Sequence, residues 1–254
     1  MKVVFVGAHH DDEGHCSGLL LRLKKRGHDV QSLVTTAGLR DQLIGDEAAF
    51  IVRVREGEAA HAVLGIPVIS LGKYEQEYGA TKETRAEFNA IMDKLAPDMI
   101  VGHSPIDVNP DHRAAGDFVL SWAMQRSRNV ETIFFEPCSA GRSMAQARPQ
   151  VLAFCPTHYV DVSDPDLLET KRQSLYCHTS QDPDGMWPGQ LMLQKNRGEE
   201  AGVEQAEAYL RVTRWGELHP ELQDLLVLPP KEKGFKTPRP IGIDFTPQAI
   251  GLNM

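Results

Sequence analysis

Short apolar runs that alternate with helical segments restrict the fold of this 254-residue chain more than any other feature of its sequence. Runs rich in branched residues predict buried strands, and four predicted helices separate the first five of them. This alternation indicates βαβ units, and hence an α/β fold with a mostly parallel, doubly wound sheet. The predicted strands are residues 3–6, 30–36, 68–71, 99–102, 132–135 and 159–162.

Each predicted helix follows one of the first four strands. The first helix carries apolar side chains at helical spacing before Gly27, and the others span roughly 47–64, 81–95 and 110–126. Right-handed crossovers place the strand-to-helix turns of such a sheet at one edge, where these folds bind their ligands. Residues 7–14 and 102–112 form two of these turns. We therefore expect the active site at the carboxyl edge of the strands.

The charge balance limits the partners of the chain. It has 27 basic against 35 acidic residues, a net charge of −8, and no long basic block. A nucleic-acid partner would need clustered Lys and Arg side chains to neutralise phosphates. The sequence therefore argues against nucleic acid and favours a neutral or cationic small molecule. The oligomeric state is left open, with a homo-oligomer as one alternative.

The chain start and the cysteines predict a cytoplasmic location without a membrane partner. The start, MKVVFVGAHH, lacks a secretory signal, and no run approaches the roughly 20 apolar residues of a membrane span. The four cysteines show no CxxC spacing, which argues against a disulfide framework. Residues 1–228 are predicted to form one domain, and residues 229–254, rich in Pro, Gly and Lys, an irregular tail.

The first concentration of chemically active side chains follows the first predicted strand. Residues 9–13 read His-His-Asp-Asp-Glu, so five consecutive side chains can bind metal or transfer protons. Acidic residues also cap helices and oppose the helix dipole, which offers a purely structural explanation. Capping accounts for one or two of the acids but for neither histidine.

The second concentration, residues 107–113, follows the fourth strand and reads DVNPDHR. Asn109 is a good helix N-cap and Pro110 suits a first helical turn, but these structural roles leave His112 unexplained. Two turns that each supply His and Asp can converge on one hydrolytic metal. Catalytic zinc takes about three nitrogen and oxygen ligands and keeps one position open for water.

The two runs resemble the signature motifs of the LmbE-like, or PIG-L, deacetylase family. The usual family forms are AHPDDE and HPDH; here His10 replaces the proline and Asn109 replaces the first histidine. The resemblance implies a single-domain, Rossmann-like α/β fold and an N-deacetylase acting on N-acetylglucosamine-type compounds. It also implies Zn²⁺ as cofactor, held by His9, Asp12 and His112.

By the same resemblance Asp11 is the general base that activates water. An Asn109 amide can donate a hydrogen bond to an oxyanion, as the family histidine is thought to help do, but it cannot deliver a proton. The general acid therefore stays open between Asp11, His10 and His178.

Smaller matches extend the resemblance over roughly residues 3–182. Arg53-x-x-Glu56 resembles a family helix whose arginine contacts substrate, and residues 35–38 occupy the place of a family turn. Residues 178–181, His-Thr-Ser-Gln, resemble a late family element. Arg53, His10 and His178 are accordingly predicted to bind substrate.

Two other functions remain open at this point. One is a metal-dependent amidase of a different N-acyl or thiol-conjugate substrate, and the other is a ligand-binding relative that has lost turnover through Asn109. A nucleotide-binding function is disfavoured, because the first turn, GAHHDDEG, has no GxGxxG to admit a pyrophosphate.

Overall fold

The computed structural model describes residues 1–39, 43–126, 129–137, 154–212 and 217–227. The strands are β1 Lys2–Gly7, β2 Asp29–Thr36, β3 Val68–Lys73, β4 Met99–His103, β5 Glu131–Phe135, β6 His158–Asp161 and β7 Ala206–Arg211. The helices are α1 Ser17–Lys25, α2 Glu47–Leu64, α3 Lys82–Leu95, α4 Pro110–Met124, α5 Pro165–Leu175 and α6 Pro183–Ala201.

The seven strands form one sheet in the order β3-β2-β1-β4-β5-β7-β6. The first five in this order pair in parallel, whereas β7 runs antiparallel to both β5 and β6. The predicted α/β fold with a mostly parallel sheet is confirmed. The chain moves outward from β1 to β3 and then returns to the other side of β1 with β4. Such a reversal opens a crevice at the carboxyl ends of the two central strands.

Side chains of β1 alternate between the two faces of the sheet, as the period of a strand requires. Val3 and Phe5 pack in a core cluster with the leucines of α1. Val4 and Val6 pack on the opposite face, in a cluster that includes Phe118 of α4. Because β1 is buried on both faces, its sequence is a continuous apolar run rather than an alternating one.

Local signals set the helix boundaries. The Asp46 side chain caps α2 by accepting from two backbone N–H groups, and Gly65 ends that helix in the left-handed conformation at φ 63°. Thr81 and Thr84 form a reciprocal capping box at the start of α3. These caps explain why the predicted bounds of α2 and α3 lie close to the observed ones.

Two helices and one strand were not predicted. The α6 segment contains Pro188 and several glycines, which obscure its helical pattern. The β7 segment, AEAYLR, carries a buried glutamate and is short of branched residues. An Asp-Pro pair begins α5 as cap and first residue, a signal that could have identified it.

The predicted tail, 229–254, lies outside the described residues. Among the helices of the described residues, none is long and apolar enough to cross a bilayer.

The glutamate of β7 is the centre of a buried polar cluster. Glu207 accepts hydrogen bonds at 2.8 Å from the backbone N–H groups of Gly18 and Leu19, at the start of α1. It also pairs with Lys171 of α5, and both side chains are at most 2% exposed. Lys171 donates in addition to the carbonyl of Gly14, in the loop that carries the first motif. The late elements α5 and β7 are therefore tied to the loop after β1.

Replacing Lys171 with Met should lower the free energy of unfolding by about 3–5 kcal/mol, because it leaves the Glu207 charge buried and unpaired. Arg172, the next residue, makes an exposed ion pair with Glu169 and provides a matched control. Arg172→Met should leave stability near that of the wild type. Urea unfolding followed by circular dichroism measures both; equal effects of the two substitutions would contradict the importance of the buried pair.

Candidate metal centre

The candidate site lies where the strand order reverses, between β1 and β4. The loop after β1 carries the first motif and coils into a short 3-10 turn, Asp12–His15. The loop after β4 leads into α4, whose first turn holds His112. A Cβ at Gly116 would lie 2.6 Å from backbone atoms of Ser104 and Pro105, so glycine lets α4 pack closely on this loop. This packing brings His112 to the end of β1.

Three side chains of the two motifs converge in a donor set that fits one metal ion. His112 Nε2 lies 3.2 Å from His9 Nδ1 and 3.5 Å from Asp12 Oδ1. Tetrahedral zinc with bonds of roughly 2.0–2.1 Å places neighbouring ligand atoms about 3.3 Å apart. Two imidazole nitrogens and one carboxylate oxygen are also the ligand types of catalytic zinc. On spacing and on chemistry, these three residues could hold the ion.

The electrostatics of this position also favour a cation. Burial lowers the pKa of His9, but nearby carboxylates outweigh burial and raise it to about 9. These carboxylates belong to Asp111, Asp12 and Asp11. In the absence of another positive charge, they keep a proton on His9. A divalent ion would replace that proton and balance the same carboxylates.

The second nitrogen of each histidine faces a carboxylate. His9 Nε2 lies 3.5 Å from Asp111 Oδ2, and His112 Nδ1 lies 3.1 Å from Asp107 Oδ2. Such pairs fix the tautomer and orientation of a metal-binding histidine and raise its basicity. Neither Asp107 nor Asp111 was predicted to have a role from sequence, although the second motif contains both.

His103, at the end of β4, also joins the cluster. Its Nε2 lies 2.8 Å from Asp12 Oδ2, and its ring stacks on His112 with centroids 4.1 Å apart and planes inclined by 22°. His103, Asp107 and His112 form a second group compact enough for one ion. The stacking argues against a metal ion bound by this second group. The lone pairs of an imidazole lie in the plane of its ring, and those of two nearly parallel rings do not converge on one ion. Burial lowers the pKa of His103 to about 4, so the ring is neutral.

Asp11 faces the cleft beside the metal ligands and is held by Arg53 of α2. The Arg53 guanidinium, 1% exposed, lies 3.2 Å from Asp11 Oδ2 and 3.5 Å from Glu56 Oε2. Burial raises the pKa of Asp11, but the charge of Arg53 contributes to a net lowering, so Asp11 is ionised at neutral pH. Arg53 itself does not line the cleft. Its contact with substrate stays a prediction.

Glu56 fixes the late element, residues 178–181, that the sequence pattern indicated. Its carboxylate accepts hydrogen bonds from Thr179 Oγ1 and from the backbone N–H and Oγ of Ser180, at 2.6–2.8 Å. These bonds hold the turn Thr179–Gln181 against α2 and leave Gln181 at the edge of the cleft. Arg53 and Glu56 of α2 therefore hold Asp11 and the turn Thr179–Gln181 in place.

His10 and His178, both predicted to bind substrate, are fully buried outside the cleft. His10 Nε2 lies 3.1 Å from Ser70 Oγ, and burial lowers the pKa of the ring to about 3. A Cβ at Gly57 of α2 would overlap this ring, so the glycine accommodates the histidine that replaces the family proline. His178 Nε2 lies 2.8 Å from Glu13 Oε1. Substrate contact would require exposure of either ring, and both assignments stay predictions.

Asn109 combines a structural role with a place in the cleft. Its Oδ1 accepts from the backbone N–H groups of Asp111 at 2.8 Å and His112 at 3.4 Å, which caps α4. Pro110 follows as the first helical residue. Asn109 also lines the cleft. Because the cap engages the oxygen, the amide N–H group of the same side chain can still serve a ligand, and that catalytic role stays a prediction.

The cleft above these residues has a volume of about 240 Å³ and is mostly polar. It is lined by His9, Asp11, Gly38, Leu39, Glu75, Gln76, Asn109, Pro110, Asp111 and Gln181. Glu75 and Gln76, which follow β3, were not predicted from sequence. The position of their loop, at the same sheet edge as the two motifs, is the signal that could have found them. Arg40 and Asp41 follow the Gly38 turn in sequence, where they could contact substrate or be solvated loop residues, and they lie outside the described residues.

The sequence model of the family described as PIG-L: GlcNAc-PI de-N-acetylase matches residues 4–123, which include both motifs and Arg53. Over these residues the chain is similar to the PIG-L family. No protein of curated function matches the sequence significantly. The PIG-L match ends in α4.

Several solved structures share the fold of this chain. N,N'-diacetylchitobiose deacetylase from Pyrococcus horikoshii is 22% identical, with a TM-score of 0.67 and 83% of each chain covered. GalB, the 4-carboxy-2-hydroxymuconate hydratase from Pseudomonas putida KT2440, is 16% identical, with a TM-score of 0.68, covering 86% of this chain and 98% of that one. The A40926 pseudoaglycone deacetylase Dbv21 is 17% identical, with a TM-score of 0.66 and coverage of 85% and 99%.

Replacing Asn109 with Ala should lower the free energy of unfolding of the metal-free protein by about 1 kcal/mol, because α4 loses its cap. Asn109→Ser keeps an oxygen acceptor and should retain most of that stability. Urea unfolding of the three proteins side by side measures the difference. An Asn109→Ala protein as stable as the wild type would show that the cap contributes nothing.

Proposed function

We propose that the chain is a zinc-dependent hydrolase that removes an N-acyl group, expected to be acetyl, from an N-acetylglucosamine-type sugar or conjugate. The observation that carries the proposal is the convergence of His9, Asp12 and His112 on one point, with His9 and the neighbouring Asp11 lining one cleft. Metal-assisted hydrolysis needs such a ligand set and a carboxylate in reach of the attacking water. Similarity to a family of de-N-acetylases, and to two solved structures that are named as deacetylases, supports it.

The cofactor is proposed as Zn²⁺ on the nature and spacing of the ligands. When bound, the ion supplies Lewis acidity that activates water and polarises the amide carbonyl. One structural relative is the zinc-inhibited form of teicoplanin deacetylase Orf2; that form connects zinc with inhibition of a protein of this fold, so the choice of Zn²⁺ rests on the ligand set of this chain.

The residues around the ligands supply the proton transfers. Asp11 is ionised at neutral pH, faces the cleft, and takes the proton of the attacking water. Arg53 keeps the Asp11 carboxylate in place through their 3.2 Å ion pair. Asp11 then returns the proton to the departing amine, because His10 and His178 are buried outside the cleft. The Asn109 amide donates to the oxygen that becomes negative in the tetrahedral intermediate.

The charge of the cleft restricts the substrate. Asp11, Glu75 and Asp111 line it, and its described lining contains no Lys or Arg. Glu75 is 6% exposed, accepts the Gly38 N–H group through Oε1, and has no hydrogen-bond partner for Oε2 in the described part of the chain. Hydroxyl groups of a neutral sugar can donate to these oxygens, whereas an anionic substrate is repelled. We propose a neutral or weakly cationic amino sugar.

The acidic lining of the cleft also argues against the activity that is named for one structural relative. GalB is named as a hydratase of 4-carboxy-2-hydroxymuconate, a compound whose carboxylates would meet the acidic lining of this cleft. The acidic lining therefore favours the hydrolase over a hydratase of such an anion. We further propose that the protein is cytoplasmic and that neither nucleic acid nor a membrane is its partner; the net charge of −8 and the lack of a long basic block disfavour nucleic acid.

The wild-type protein should bind about one zinc ion per chain, and His112→Ala should lose most of it. Asp11→Asn should keep the zinc and lose turnover, because an amide cannot accept the proton of water. His158→Gln, a substitution in β6 remote from the cleft, is the control and should keep both. Elemental analysis and an amine-release assay give the two readouts. Full zinc occupancy in His112→Ala would remove His112 from the ligand set.

Zinc-loaded protein should release free amine from N-acetylglucosamine or N,N'-diacetylchitobiose.

Its kcat/KM for N-acetylglucosamine should exceed that for N-acetylglucosamine 1-phosphate by about tenfold or more, because the acidic cleft repels the anion. Glu75→Gln removes one carboxylate from the lining, so the ratio of these two kcat/KM values should decrease. Zinc binding without hydrolysis of any of these compounds would contradict the proposal and favour a different N-acyl substrate or a non-catalytic binding function.

A further inference from the structure

We propose that His103 is a positioning residue for Asp12, and that its Nε2–H group holds the carboxylate with Oδ1 toward the two histidine ligands. The inference rests on the proposed metal centre. It adds a residue that belongs to neither signature motif, since His103 is the last residue of β4.

The two oxygens of Asp12 have different partners. Oδ2 accepts from the backbone N–H group of His9 at 2.7 Å and lies 2.8 Å from His103 Nε2. Oδ1 lies 3.5 Å from His112 Nε2. With Oδ2 engaged by two donors, Oδ1 is the oxygen available to an ion. Loss of one donor would free the carboxylate to rotate and would weaken the ligand set.

The surroundings fix the direction in which His103 donates. Its fully buried ring stacks on His112, with centroids 4.1 Å apart, and contacts the tilted ring of Phe135, with centroids 4.5 Å apart. Phe135 is its register partner on β5, so the sheet itself places this contact. A fully buried ring in contact with two other rings cannot turn without displacing a neighbour.

The hydrogen bonds of the ring assign its proton to Nε2. His103 Nδ1 is buried and has no hydrogen-bond partner in the described part of the chain. A proton on Nδ1 would bury an unpaired N–H group and turn the Nε2 lone pair toward the Asp12 carboxylate, and both features are unfavourable. A proton on Nε2 leaves only an unpaired lone pair. His103 therefore acts as a donor to Asp12, and its stacking on His112 argues against a role as ligand.

Two amide substitutions separate the hydrogen bond from the loss of the ring. In His103→Gln the amide nitrogen can occupy the place of Nε2, whereas in His103→Asn it corresponds to Nδ1 and cannot reach Asp12.

Zn²⁺ affinity is measured on metal-free protein by competition with a chelating indicator, and the visible spectrum of the Co²⁺-loaded protein reports the ligand geometry. The Asn variant should bind Zn²⁺ about 10–100-fold more weakly, with an altered Co²⁺ spectrum. The Gln variant should stay within about threefold of the wild type and retain its spectrum.

His61→Asn is the matched control, since His61 is a buried histidine of α2 whose Nδ1 bonds to the carbonyl of Gly57 rather than to the site. Its affinity should equal that of the wild type. Unchanged affinity in His103→Asn, or equal loss in both His103 variants, would overturn the positioning role. A wild type that binds no zinc would instead refute the proposed function.

Nitrogen-15 NMR of the wild type provides a test that needs no variant. The shifts of the His103 ring should show a protonated Nε2 and a bare Nδ1, with and without Zn²⁺. A proton on Nδ1, or metal-induced shifts typical of direct ligation at His103, would overturn the inference.

Discussion

Negative charge buried at the reversal of the strand order is the constraint on which the rest of the site depends. Asp11, Asp12 and Asp111 surround His9, and Asp107 lies behind His112. Carboxylates removed from water need positive partners or hydrogen-bond donors. The protein supplies Arg53 for Asp11 and imidazole or backbone N–H groups for the others. The same carboxylates raise the pKa of His9 to about 9, so this position favours a positive charge, which a divalent ion would supply.

Elements beyond the family match stabilise this arrangement. Lys171 of α5 donates to the Gly14 carbonyl in the first-motif loop, and its partner Glu207 of β7 caps the following helix. His178 reaches Glu13 in the same loop through a 2.8 Å contact. The loop that carries His9 and Asp12 is thus fixed from behind by residues more than 150 positions away along the chain. A rigid loop matters because a ligand set works only when its spacing is maintained.

The sequence predicted six of the seven described strands and the four helices that place the two motifs, because apolar runs mark those strands and side-chain caps mark the starts of α2, α3 and α4. Asn109 and Pro110 marked the start of α4 correctly for the same reason. The pattern could not predict β7, since its buried glutamate is stabilised by partners from α1 and α5 that only the tertiary structure supplies. The sequence also did not predict that His10 packs against α2, because this contact depends on the space that Gly57 leaves for the ring.

Anomalous diffraction from zinc-soaked crystals tests the proposed metal centre most directly. We expect one strong peak at the zinc edge, about 2.0–2.2 Å from His9 Nδ1, Asp12 Oδ1 and His112 Nε2. His103 and Asp107 should lie outside bonding distance. A peak ligated by His103 and Asp107, or no ordered zinc in the cleft at all, would contradict this assignment of the ligands.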